Sequence, residues 1–141
     1  MILWEKYISV ALASTIKFIG GPLAGFALGL TWVETALATW IGMMFTVIIV
    51  TFLGDAIRIF IARYRKQKLK AFSKRTRLAV KVWAKLGING IACLTPIIFT
   101  PIGGTFLALS FKVSRFKVLL AMCVWGGFWA IVQTWILYLI K

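Results

Sequence analysis

Four apolar stretches dominate this chain: residues 7–30, 35–54, 86–111 and 118–140 carry a single charge between them, Lys17. Each is close to the ~20 residues that cross the hydrocarbon core of a bilayer. A chain of 141 residues folding in water has no use for four such runs, and 62% hydrophobic residues exceeds the roughly half of a soluble domain. The expectation is a multi-pass integral membrane protein. Ala11 and Ala13 form a small-x-small pattern, but the apolar stretch before them is short and Glu5 offsets Lys6, so no cleaved leader is expected.

The four runs are not alike. All three prolines fall in the first and third, within "GGPLAGFALG" (20–29) and "CLTPIIFTPIGG" (93–104). A proline inside a helix removes a hydrogen bond and clashes with the preceding turn, at about 3 kcal/mol. Broken backbone facing lipid costs several kcal/mol per orphaned group, so it survives only where protein or a watery cavity covers it. Residues 7–30 and 86–111 are therefore expected to be re-entrant hairpins, each a half-helix, a Pro/Gly tip near mid-membrane and a half-helix back. The competing arrangement is a kinked but complete crossing, since at ~1.5 Å per residue either run is long enough. Charge favours hairpins: Lys112, Arg115 and Lys117 then share a side with the main basic cluster, as the positive-inside rule prefers.

That cluster is "RIFIARYRKQKLKAFSKRTRLAVKVWAK", residues 58–85, which holds 11 of the 17 basic residues. Leu69, Phe72, Ala79, Val82, Trp83 and Leu86 recur in it at three- and four-residue steps. The pattern describes a basic amphipathic helix on the cytoplasmic surface, with Lys68, Lys70, Lys74, Arg75, Arg77 and Lys81 facing anionic lipid headgroups. A loop between membrane spans gathers Lys and Arg without nucleic acid, so none is expected as a partner.

Thr31 followed by Glu34 is a capping box, opening a helix from about Val33 through Asp55 and on toward Tyr64. Ser114 opens the last helix, and Gly87 closes the amphipathic one. The expected fold is an all-α membrane protein, an inverted repeat in one unit. Residues 1–57 form the first repeat (hairpin 7–30, transmembrane helix 33–57), 58–85 the basic linker, and 86–141 the second repeat (hairpin 86–111, transmembrane helix 115–140). Inverted repeats with broken helices meeting at the midplane are a transporter signature.

The returning half-helices are expected to begin at Pro22 and around Gly103–Gly104–Thr105. A helix N-terminus presents free N–H groups and partial positive charge, so two converging tips make an anion site from Gly20, Gly21, Pro22, Pro101, Gly103, Gly104 and Thr105. Thr95, Thr100 and Thr105 offer hydroxyls that otherwise bond back to their own helix. Lys17 either faces the site or snorkels to the surface. The acids are all explained locally: Glu5 at the terminus, Glu34 as a cap and Asp55 one turn before Arg58. With no histidine and no metal-holding cluster, neither an enzyme nor a cofactor or metal is expected. Cys93 and Cys123 read as apolar filler. Gly21, Gly25 and Gly29 form a small-xxx-small ridge, serving packing within the subunit first and a homodimer second. Trp125 and Trp129 fall in the last helix, where packing on a hairpin is the first reading and lining a lipid-tail groove the sharper one.

The stretch "GGPLAGFALGLTWVETALATWIGMMFTVIIVTFLGDAIRIFIARY" resembles the first half of the DedA/VTT superfamily, which includes the small proteins labelled small multidrug exporters. "LGINGIACLTPIIFTPIGGTFLALSFKVSRFKVLLAMCVWGGFWA" resembles its second half, with a proline tip, the basic-Phe turn Arg115–Phe116 and the Gly-x-x-Trp helix ending at Trp129. The resemblance implies an inverted-repeat transporter fold in the bacterial inner membrane and an anionic, polyprenyl-phosphate-like lipid as cargo. The sequence departs from the family pattern in having Lys17 where acids are usual in the first hairpin, and Thr95 and Thr100 where arginines surround the second tip.

The functional expectation is a small inner-membrane transporter-like protein moving an anionic lipid or small anion through the tips. The alternative is a non-transporting protein that binds lipid or a partner through residues 58–85. A holin-like pore is disfavoured because the charge lies mid-chain.

Overall fold

The computed structural model describes residues 2–64 and 74–140, without the side chains of Ile57, Arg58, Ile61, Ala62, Tyr64, Arg75 and Thr76. Among these residues every regular element is helical: α1 (Leu3–Ile16), α2 (Gly20–Ala27), α3 (Trp32–Tyr64), α4 (Lys74–Leu94), α5 (Pro101–Ser110) and α6 (Arg115–Leu139). Lys68, Lys70, Leu69 and Phe72 of the expected amphipathic face lie outside the described residues, as does the side chain of Arg75.

The helix boundaries follow local chemistry. The Glu34 carboxylate accepts from the Thr31 amide at 2.9 Å and the Thr31 hydroxyl at 2.7 Å, completing the capping box at the start of α3. From there α3 runs without interruption to Tyr64. Gly29, at φ +70, ends the first hairpin, its left-handed backbone letting the Leu30 amide reach the Gly25 carbonyl at 3.0 Å. Gly87 breaks α4 with φ 64 and ψ −148, a region open essentially to glycine. Ser114 is the residue before α6, as expected, yet its hydroxyl makes no capping hydrogen bond.

Two starts differ from expectation. Helix α2 begins at Gly20, so Pro22 is its third residue, still within the first turn where a missing N–H leaves no acceptor unmet. Helix α5 begins at Pro101, two residues before Gly103. Proline's fixed φ and absent N–H suit that first position, and Thr100 caps it.

Helices α1 and α2 form an antiparallel hairpin: Lys6 near the start of α1 donates to the Leu28 carbonyl just after α2, at 3.1 Å. Its open end lies at the start of α3, where the Tyr7 hydroxyl donates to Glu34 at 2.8 Å. It is packed down to contact by two glycines of the expected ridge. A Cβ at Gly25 would strike Thr35 and one at Gly21 would strike Thr39, whereas Gly29 has open space around it. The ridge is thus spent on packing within the chain at two of its three positions.

The second hairpin joins the last turns of α4 to α5 and has its open end at the other end of α3. Trp83 stacks on Phe111 at 4.7 Å, and Gly54 faces Leu109. The two hairpins therefore enter the bundle from opposite ends. Helix α6 closes it by crossing α3 antiparallel. Gly126 admits Met43, the Trp40 indole donates to the Cys123 carbonyl at 3.0 Å, and the Tyr138 hydroxyl donates to the Leu30 carbonyl at 2.6 Å.

One core cluster spans both halves, with Phe18, Met43, Val47, Ile91, Ala92, Ala108, Val118 and Met122 in it. Beside this apolar core, the structure buries hydroxyl side chains and exposes large apolar ones. Helix α3 buries Thr35, Thr39, Thr46 and Thr51, while Leu37, Ile41, Phe45, Ile48 and Phe52 form its exposed stripe. Trp32–Ala56 and Arg115–Leu139 are long and apolar enough to cross a membrane.

Candidate functional site

The breaks in the two hairpins are the places where backbone polarity could be offered to a ligand, and the first lies beside the middle of α3. Gly21 meets Thr39, and Phe18 shares the core with Met43 and Val47, residues near the middle of Trp32–Ala56. Helix α1 also touches α5.

At the first tip, the donors are already engaged. The Gly20 amide donates to the Lys17 carbonyl at 2.8 Å, the Gly21 amide to Phe18 at 3.2 Å and the Leu23 amide to Ile19 at 3.4 Å, while Pro22 has none. Phe18 is 1% exposed and points into the core. Its neighbour Lys17 is extended and points outward, and among the described residues its ammonium has no hydrogen bond or ion pair.

At the second tip the two glycine amides are likewise engaged. The Gly103 amide donates to the Thr100 hydroxyl at 3.1 Å and the Gly104 amide to the Thr100 carbonyl at 2.8 Å. Thr95 and Thr105 are fully buried, and each hydroxyl donates back to its own helix, to Ile91 and Pro101 respectively, both at 2.7 Å. Thr95 presses against Gly104 so closely that a Cβ there would overlap it. The structure thus brings Thr95, Thr100, Gly103, Gly104 and Thr105 together as one packed turn. Gly20, Gly21 and Pro22 make another, joined through the Lys17 carbonyl, while the Lys17 side chain is exposed.

Among the residues that carry the polar structure of the interior, Gln133, Thr134, Tyr7, Thr35 and Tyr138 are not singled out by the sequence. Among the described residues, the Trp129 indole nitrogen and, one turn on, the Gln133 amide oxygen and the Thr134 hydroxyl are buried on α6 with no protein partner. Trp129 packs against the core that also holds Phe18. Gln133 and Thr134 do interrupt an otherwise apolar last run, which is the signal by which the sequence could have marked them. At the hairpin 1 end, Tyr7, Glu34, Thr31, Tyr138 and Thr35 form a linked set, with the Thr35 and Tyr138 hydroxyls 2.9 Å apart.

At the opposite end the charge is basic. Asp55 is not left to Arg58, whose side chain is undescribed, but lies 3.9 Å from Arg115 across the α3–α6 crossing. Lys74, Arg77, Lys81 and Lys85 are exposed on α4. Its apolar side is turned to protein at Ala79, Val82 and Trp83, while Leu86 is 66% exposed. No group of acids and cysteines among the described residues could hold a metal ion. Compared with family models, curated proteins and solved structures, the chain matches none.

Proposed function

We infer that this chain is a bilayer-embedded, transporter-like protein. In this reading α3 and α6 span the membrane and the two hairpins re-enter it from opposite sides as an inverted repeat. The observation that supports the reading is that residues of both hairpins, Phe18 at the first break and Ile91, Ala92 and Ala108 on the arms of the second, share one core cluster with Met43 and Val47 of the long apolar helix α3. The exposed stripe of Leu37, Ile41, Phe45, Ile48 and Phe52 supports lipid as its solvent, since water would leave a continuous apolar face uncovered. The charge distribution supports orientation with residues 58–85, Lys112, Arg115 and Lys117 on the cytoplasmic side.

The proposed cargo is an anionic lipid or small anion, the chemistry that the resemblance to the DedA/VTT superfamily also suggests. Lys17 supplies the charge. A lysine at mid-depth is costly against hydrocarbon, so its position favours an aqueous or headgroup-lined approach at the first tip. The Thr100 hydroxyl accepts at the start of α5 and keeps its O–H to donate, whereas the Gly103 amide becomes a donor to cargo only if that cap opens. Trp129, Gln133 and Thr134 offer buried hydrogen-bonding atoms that need no such opening.

The test has two arms. Single cysteines at Glu34, Lys112 and Ser114, in a chain lacking Cys93 and Cys123, are labelled on intact cells with an impermeant thiol reagent. Labelling at Glu34 alone is expected; labelling at all three would replace the hairpins by complete crossings. Purified protein in liposomes is expected to move a fluorescent lipid phosphate or a small anion. Lys17→Ala is expected to lower that rate at least tenfold, and an unchanged rate would remove Lys17 from the site.

A second reading, binding of lipid or a partner without transport, is favoured by the exposed cations of α4. In that case neutralising Lys74, Arg77, Lys81 and Lys85 abolishes function while changes at the tips leave it intact.

A further inference from the structure

A groove of about 390 Å3 runs along the outer surface between the segment of α4 beyond Gly87 and the first three turns of α6. Its walls are Ile88, Phe116, Leu120, Val124 and Trp125, and Asn89 and Lys117 are its polar lining residues. Phe116 is 71% and Val124 60% exposed, so the groove opens to whatever surrounds the bundle.

We propose that this groove holds one acyl chain of an anionic membrane phospholipid, with the lipid phosphate against the Lys117 ammonium and the Asn89 amide. The proposal rests on the reading of α6 as a membrane span, but it concerns a site on the outer wall, away from the hairpin tips. Three observations fix the occupant. The polar pair lies at one end only: Lys117 is in the first turn of α6, and Asn89 is two residues past the break, while Leu120, Val124 and Trp125 continue about 12 Å deeper at ~1.5 Å per residue. A charged head with an apolar tail matches that order. The end concerned is the basic one, and of the two cations on α6 Arg115 lies 3.9 Å from Asp55 while Lys117 is the one that lines the groove. Finally, the groove exists because Gly87 breaks α4: a straight helix would not carry Ile88 and Asn89 in their present direction.

Trp125 makes the proposal measurable, because brominated acyl chains quench indole emission on contact. The full chain is reconstituted in vesicles of equal phosphatidylcholine and phosphatidylglycerol, with bromine on the chains of one lipid or the other. The Trp125 contribution is taken as the difference between the native chain and Trp125→Phe. Brominated phosphatidylglycerol is expected to quench it about fivefold more than brominated phosphatidylcholine, the preference that one lysine near an anionic surface supplies. Lys117→Gln is expected to level the two lipids and Lys117→Arg to keep the preference. Equal quenching of the native chain by both lipids overturns the proposal, as does quenching of other tryptophans with none at Trp125. A Lys117→Gln chain that keeps the preference also overturns it. If no tryptophan is quenched and the chain does not float with the vesicles, the membrane reading itself has failed.

Discussion

At the level of single residues, the interior of this bundle is organised by glycines that let hydroxyl-bearing side chains approach backbone. Gly103 and Gly104 illustrate how sharply this varies. A Cβ at Gly104 would overlap Thr95, which is boxed in by its own bond to Ile91, whereas at Gly103 it would meet only the Thr100 hydroxyl at 3.2 Å. Gly104→Ala is expected to destabilise the protein by about 1–3 kcal/mol through overpacking. Gly103→Ala should be near neutral, since alanine also favours the helix. Thermal unfolding in detergent distinguishes the two. The buried hydroxyls divide in the same way. Tyr138→Phe removes a donor from the Leu30 carbonyl and should cost roughly 1 kcal/mol, while Thr134→Val removes an oxygen with no protein partner and should be neutral or stabilising. A large loss on Thr134→Val would mean that something outside the chain bonds to that hydroxyl.

Between residue and bundle stand the helices, and their breaks were the part most legible in the sequence. Thr31 and Glu34, Gly87, and the Pro101 and Gly20–Gly21–Pro22 punctuation each act through local backbone chemistry, so residue type alone locates them to within a turn. What joins one helix to another was not legible. The bonds from Trp40 to the Cys123 carbonyl and from Tyr138 to Leu30 link residues far apart in sequence. Their pairing depends on the register at which α3 and α6 cross. A helix apolar on nearly every face has no amphipathic period to reveal that register. The outward direction of Lys17 was hidden for the same reason, because a tip of three residues can turn its lysine either way. Gly87 gives the clearest test at this scale. Gly87→Ala forces a side chain into a backbone region that costs of order 1–3 kcal/mol. It is expected to lower the melting temperature and to straighten α4, seen as loss of the Trp83–Phe111 contact by fluorescence.

For the molecule as a whole, the governing fact is that its outside is more apolar than much of its inside. Threonines and glycines are packed among Trp40, Met43, Val47, Val118 and Met122 inside, while phenylalanines, isoleucines and leucines look outward. Nothing in such an arrangement is stabilised by withdrawal from water once the chain is in lipid. Its helices are held by close packing of small residues and by hydrogen bonds of modest worth. The protein is therefore expected to resist extraction by alkaline carbonate and to leave the membrane fraction only with detergent, and release by carbonate alone would place it at the surface instead. The Asp55–Arg115 pair adds little to this, since both side chains are more than half exposed; Asp55→Asn should change stability by less than about 1 kcal/mol.

Phe18 has a consequence for how the chain is made. Its ring sits in a cluster completed by Ile91, Ala92, Ala108, Val118 and Met122, all of them translated after it. While the ribosome is still short of residue 91, the first hairpin and α3 have no finished neighbour to close on, and a phenyl ring must wait at the bend. Synthesis thus leaves the amino-terminal half as an unfinished socket. Co-expressed fragments 1–64 and 74–141 would be expected to rescue one another from proteolysis, each acting as the other's chaperone.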